Sequence, residues 1–323
     1  MGMSVVRSST RLAAVLVAAN VAGAPLAAPA APAVPMTVEI AGVGHSGEVH
    51  VILAQPGESI RLPLHFTGTR TAGAEFRWVR LSGEAGPWFP APTDLLAVAP
   101  ASSGTWRLQM RNASVVSDFD TFHLLVKVPA AESSHGRLRG YHVGQYPNGT
   151  GRYAPPAGFV EVNAANRDLQ ISRSLRLRNF LTHDQANVWP KYVLIDEHLL
   201  DKLELMLDEL RAVQPAAGRV TIMSGFRTPQ YNAQGLSAGR AALSRHQYGD
   251  AADVWIDDDG DGRMDDLDRN GRFDVADAGF LARIVERVEA RYPELAGGIS
   301  AYPATRAHGP FVHVDARGVR ARW

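Results

Sequence analysis

The chain has 323 residues, with 33 Lys and Arg balanced by 33 Asp and Glu, and it contains no cysteine. That length accommodates two domains with separate cores. The charge balance gives no reason to expect nucleic acid or an acidic membrane surface as a partner, and the absence of thiols excludes disulfides, cysteine zinc sites and thiol catalysis.

At the start, Arg7 and Arg11 precede an apolar stretch, Leu12 to Ala24, and a small-residue segment, Gly23 to Ala30. A basic start, a short apolar core and an A-x-A-like end read as a secretory signal peptide over residues 1–30. The protein is therefore expected outside the cytoplasm, periplasmic or extracellular. The alternatives are an uncleaved anchor or a disordered tail. Asn20 interrupts the apolar core, and no later segment is apolar enough to span a bilayer, so no transmembrane segment is expected after signal removal.

An Ala/Pro linker occupies 31–35. From 36 to 128 the pattern is short alternating runs separated by Gly, Pro, Ser and Thr: Glu48–Leu53, Ile60–Phe66, Glu75–Leu81, Thr105–Met110 and Thr121–Val128. This spacing predicts a small antiparallel, Ig-like β-sandwich, a spacer or binding module whose partner is unknown. Pro63 marks an edge strand or a bulge. Residues 129–139 read as a linker, and 140–323 as a second domain.

In that second domain, Leu199, Leu200, Leu203, Met206, Leu207, Leu210 and Val213 recur at helical spacing behind a capping Asp196. Gly218–Met223 reads as a strand entering a turn at Ser224-Gly225. Ala251–Ile256 and Phe311–Asp315 read as strands, and Ala278–Tyr292 as a second amphipathic helix stopped by Pro293. Helices mixed with few strands predict an α+β fold.

Between these elements lies an acidic insert, 257–277. Asp257, Asp259, Asp261, Asp265 and Asp268 follow the D-x-D-x-D-G spacing of a calcium loop, with Gly262 at the sharp turn. Asp266, Asp268, Asn270, Asp274 and Asp277 repeat it with an overlap, with Gly271 at the turn. Three arginines do not neutralise nine aspartates, so structural Ca²⁺ is expected; the alternative is a solvated acidic loop. Calcium here would stiffen the strand that carries Asp253.

His246, Asp253 and His313 carry the chemistry. Two imidazoles and a carboxylate suit zinc, which in catalytic sites takes three protein ligands and leaves a fourth position for water. His313 and Asp315 are two apart on a strand and face the same way.

The flanking residues make the pattern specific. Ser224-Gly225-Phe226-Arg227-Thr228-Pro229-Gln230-Tyr231-Asn232, then Ser244-x-His246-x-x-Gly249-x-Ala251-x-Asp253, then His313-Val314-Asp315, together resemble the zinc D-alanyl-D-alanine metallopeptidase family. That family includes D,D-carboxypeptidases, D,D-dipeptidases and murein endopeptidases, and shares its core fold with the Hedgehog signalling domain. The resemblance runs from about Gly140 to Trp323. It implies that His246, Asp253 and His313 bind a catalytic Zn²⁺ and that Arg227 contacts the substrate carbonyl or the oxyanion, with Ser244 and Tyr231 beside it on the substrate. The alternative for Arg227 is a surface ion pair. Many members carry a Glu three residues before the last His; here that position is Pro310. Asp315 is then the first candidate for the general base and His308 the second. Otherwise Asp315 only orients a ligand or pairs with Arg317. The function these features imply is an exported zinc peptidase acting on peptidoglycan stem peptides, as a D-Ala-D-Ala carboxypeptidase or a cross-link endopeptidase. The alternative is a non-catalytic metal-binding module that recognises wall peptides or a protein partner.

Overall fold

The computed structural model describes residues 14–16, 37–67, 73–92, 94–112 and 115–323. Apart from Ala14–Leu16, which pairs antiparallel with Thr37–Ile40, the segments read as signal peptide and Ala/Pro linker lie outside the described residues.

Between Thr37 and Val126 every described element is a strand. The largest sheet has the order Val51–Ala54, Val115–Val126, Gly104–Asn112, Glu75–Arg80, Phe89–Pro90. Smaller sheets pair Leu64–Thr67 with Thr37–Ile40 and Ser59–Arg61 with Leu96–Val98. The predicted Ile60–Phe66 run is thus two strands in two sheets. The break falls at Leu62-Pro63, where proline has no N–H to continue a ladder. Phe76, Trp78, Leu108, Phe122 and Leu124 fill the core beneath. One expectation is corrected: Val51–Ala54 runs parallel to His123–Val126, so the sheet is mixed.

The strand Val115–Val126 serves two cores. Leu124 and Val126 belong to the first, whereas Leu125 joins Val49, Val51 and Val128 in the second, with Leu199, Leu200 and Leu203. The two-residue period of a strand produces this split. The segment read as linker is tied into the second body. Val128 and Pro129 pair with Phe159 and Gly158, and Leu138 is buried in the second core. Side chains reinforce the junction. The buried Asp201 carboxylate accepts from His45 N (2.6 Å), Ser46 N (2.9 Å) and Ser46 Oγ (2.6 Å), and Glu197 accepts from Leu53 N at 2.9 Å.

The second body is mixed α and β. Helix α1, Glu197–Val213, starts at Asp196, whose side chain accepts from His198 N. Helix α2 is the short Pro229–Ala233, with proline in its first turn and Thr228 capping it. Helix α3, Val275–Arg291, begins three residues before its predicted start, because Asp274 caps it and Asp277 answers with a capping box. A five-stranded sheet has the order Val220–Ser224, Ala251–Ile256, Phe311–Asp315, Gly298–Tyr302, Ala321–Arg322. One face carries Ala252, Val254, Val312 and Val314 into the core, with Leu281, Ile284 and Val285 of α3. The opposite face, in period two with the first, carries the site.

Candidate active site

Asp253 and His313 are register partners on adjacent antiparallel strands, so both side chains leave the same face of the sheet. His246 approaches from a 3-10 turn, Arg245–Tyr248, that ends at Gly249 with φ of 78°. A side chain at Gly249 would also collide with Leu194, its Cβ falling 2.5 Å from that residue's backbone. The turn is pinned from the other side by Arg227 N, which donates to His246 O at 3.1 Å.

The three side chains converge, and all three are buried. His246 Nε2 lies 3.2 Å from Asp253 Oδ1 and 3.2 Å from His313 Nδ1, and His313 Nδ1 lies 2.9 Å from Asp253 Oδ1. Their outer partners decide where the protons sit. His246 Nδ1 donates to Gly225 O at 2.7 Å, and His313 Nε2 donates to Asp315 Oδ2 at 3.1 Å. Each neutral ring therefore turns a lone pair inward, beside a carboxylate oxygen. Such a centre calls for a cation. The pKa directions show the same demand. Burial pushes His246 down. Burial opposes charge on His313 too, but its hydrogen bonds to Asp253 and Asp315 outweigh that and raise it. Burial likewise works against the Asp253 charge, yet the two histidines hold its carboxyl well below the usual range. A metal ion would take the place that the proton on His313 otherwise holds, and the donor set fits zinc.

Arg227 is no surface ion pair. It is buried, its Nη2 pairs with Asp253 Oδ2, and its Nε donates to Ser224 Oγ at 2.7 Å. Burial lowers its pKa, Asp253 opposes that, and the nearby Arg240 charge adds to the lowering. Its Nη1 makes no hydrogen bond among the described residues, leaving one donor for a ligand.

The centre opens into a cleft of about 1280 Å³. Arg227, Tyr231, Arg240 and Ser244 line it from the segment that runs through α2 to His246, and Tyr302, His308, Phe311 and Trp323 from the last strands and their loops. Tyr302 and Phe311 stack at 4.7 Å, His308 meets Phe311 edge-on at 5.0 Å, and the Trp323 indole lies 5.3 Å from the His313 ring. The expected substrate residues Arg227, Ser244 and Tyr231 thus share one cleft with the metal-type centre.

The assignment of Asp315 as general base is corrected by its position. It is fully buried, and the imidazole of His313 stands between it and the centre. Its oxygens accept from Gly298 N at 2.8 Å and from Arg317 Nε at 2.8 and 2.9 Å as well as from His313. The carboxylate is thus taken up by Gly298, Arg317 and the far side of His313, and it does not line the cleft. Lys202, also fully buried, holds the same strand end through Asp315 O at 2.7 Å and Glu289 at 2.6 Å. His308 is the candidate that does line the cleft. Its Nδ1 donates to Gly309 O at 2.8 Å, which leaves Nε2 as an acceptor.

The acidic insert forms two groups of carboxylates: Asp257, Asp259 and Asp265, and Asp266, Asp268 and Asp277. Gly262 and Gly271 take φ of 83° and 80°, the left-handed turn the loop pattern requires. The expected ligand sets are corrected in part. Asp268 gathers with the second group and does not close the first. Asp261 and Asn270 accept from the backbone of Arg263 and Arg272 at 2.8 Å, and Asp274 caps α3 through Ala276 N at 2.7 Å.

Sequence reasoning missed Arg240, Tyr302 and Trp323, and it named Arg317 only as a partner for Asp315, a pair the structure contains. None belongs to a spaced motif, and only the folding of separate loops brings them to the cleft.

Buried histidine and carboxylate donors at the floor of a cleft form a group that could hold a metal ion, with the donor set used by metal-dependent hydrolases. Residues 182–284, about a third of the chain, match the model of the peptidase M15 family. The match takes in Arg227, His246 and Asp253 and ends before His313. Neither the curated proteins nor the solved structures gave a match to this chain.

Proposed function

We propose that the chain is an exported zinc peptidase that hydrolyses amide bonds in peptidoglycan stem peptides. The inward convergence of three lone-pair donors, fixed by their outer hydrogen bonds, is the observation that carries this reading. Zinc held by His246, Asp253 and His313 would supply a Lewis acid beside the scissile carbonyl and acidify water there. The chain's own groups do the rest. Arg227, held by Asp253 and Ser224, offers Nη1 to the carbonyl oxygen as negative charge develops on it. His308 Nε2 accepts the proton from the attacking water and returns it to the leaving amine. Ser244 and Tyr231 line the cleft where the peptide lies. The family match and the amino-terminal pattern support the reading together. The test is a digest of purified muropeptides followed by mass spectrometry. Zinc-loaded protein yields cleavage products, and His246→Ala or Asp253→Ala yields none. Retained cleavage in either variant removes the zinc assignment, while binding without products favours a recognition module.

The same reading extends to the acidic insert. Calcium held by the two carboxylate groups would brace the end of the strand that carries Asp253. Asp257 and Asp277 are buried members of those groups. Calcium addition should raise the melting temperature of zinc-loaded protein; unchanged melting and unchanged activity would leave a solvated loop.

A further inference from the structure

Four arginines line the cleft: Arg227, Arg240, Arg245 and Arg317. Three of them are neutralised in place. Arg227 pairs with Asp253, Arg245 with Asp250 and Arg317 with Asp315. Arg240 has no Asp or Glu partner among the described residues, and Asp253 is the only Asp or Glu among the described residues that line the cleft. With a divalent cation on the ligand triad, the cleft carries a marked positive excess, and Arg240 is the part of it left unpaired.

Arg240 is also held ready. Its Nη1 donates to Tyr231 O at 2.8 Å, and its guanidinium lies over the Tyr231 ring at 4.7 Å from the centroid. Its stem runs so close to the backbone of Gly235 that a Cβ there would come within 2.2 Å of Arg240 Cδ. Its own N–H donates to Gly235 O at 3.0 Å. One guanidinium edge is thus used to fix the group, and Nε and Nη2 make no hydrogen bond among the described residues. A stacked, immobilised guanidinium with a vacant edge is built for a planar anion, because it forms two parallel charge-assisted hydrogen bonds without first being ordered.

We infer that Arg240 is the specificity-determining anchor for a free carboxylate on the substrate. This rests on the peptidase reading above and names the substrate class within it: peptides that present an ionised carboxylate within the cleft, either the terminal one or that of an acidic residue in the stem. Arg240 binds and takes no part in bond cleavage. Tyr231 acts through it, by stacking.

The test compares four peptides of one stem sequence: with all carboxylates free, with only the terminal one amidated, with only the internal ones amidated, and with all amidated. Each is assayed with zinc-loaded wild type, Arg240→Gln and Arg240→Lys. The expected result for the free acid is a KM raised about 10- to 100-fold in Arg240→Gln with kcat held, and partial recovery in Arg240→Lys. Amidating the carboxylate that Arg240 binds should raise the wild-type KM by the same factor and abolish the difference between wild type and Arg240→Gln, so the two singly amidated peptides identify the source. An equal effect of Arg240→Gln on all four peptides would overturn the proposal and leave Arg240 a packing residue. Calorimetric binding of the free and fully amidated peptides is measured alongside. If no peptide is cut but the free acid binds in an Arg240-dependent way, the peptidase reading fails and the anchor stands. If wild type binds acid and fully amidated peptide equally, the anchor fails whatever the turnover.

Discussion

Replacing Asp315 with Asn separates ligand orientation from proton transfer. In the native protein Asp315 Oδ1 accepts from Gly298 N, and Oδ2 accepts from His313 Nε2 at 3.1 Å. An asparagine can keep its oxygen on Gly298 N, but its NH2 then meets a donor on His313. The imidazole relieves this by moving its proton to Nδ1, the atom that faces Asp253 and His246. The metal must then displace that proton. Loss of such an outer partner costs about 10- to 100-fold in metal affinity, or about 1.4–2.7 kcal/mol. Arg317 also loses its counter-charge, which adds a stability cost on the order of 2 kcal/mol. Zinc affinity is read by competition with a chromophoric chelator, and kcat is read at rising zinc. The expected outcome is weakened zinc binding with most of kcat recovered at saturation. Unchanged affinity with kcat reduced about a thousandfold or more would instead make Asp315 the base and refute the geometric argument.

His308→Ala should lower kcat by about 10²- to 10⁴-fold and leave zinc affinity intact; a loss below tenfold would deny it the proton-shuttle role. Asp201→Ala removes the acceptor for three hydrogen bonds from His45 and Ser46, and urea denaturation should show a loss of about 2–4 kcal/mol. A loss under about 0.5 kcal/mol would mean that the loop is not docked in solution. Burial holds His123 down to about 4, so between its ordinary value near 6.5 and that value the unfolded chain binds the extra proton. Stability therefore falls as pH drops through this window, by on the order of 3 kcal/mol, and His123→Gln should flatten that part of the pH–stability curve. An identical curve in the variant would contradict the assignment.

Much of the second body was legible because its signals are local. The apolar spacing of Leu199 to Leu210 and the capping Asp196 mark α1 without help from the rest of the chain. The ligand motif was legible for the same reason, since zinc demands particular donors. What escaped depended on contacts between distant segments. The parallel seat of Val51–Ala54 against Val115–Val126 is decided by two cores at once, and no alternation in either strand reports it. The strand Gly298–Tyr302 is short and carries no clear period. Asp315 was correctly placed on the face of His313, but periodicity does not tell the near side of an imidazole from its far side. Arg240 sits between two motifs, and its meaning comes only from Tyr231 and from the absence of an acid.

The cross-strand pairing of Asp253 with His313 has a consequence for which changes of chain length the protein tolerates. Sliding either strand by one residue would exchange a donor for a valine or an alanine, and would drive a charged side chain into the layer of α3. A single-residue deletion inside Ala251–Ile256 or Phe311–Asp315 is therefore lethal to both centre and core. The same rule binds Gly298–Tyr302, which lies between them in sequence and sets Ser300 opposite His313. Within the acidic segment before α3, Met264 and Leu267 are buried in the core, so a change of length is best placed in its exposed turns, 258–263 and 269–273.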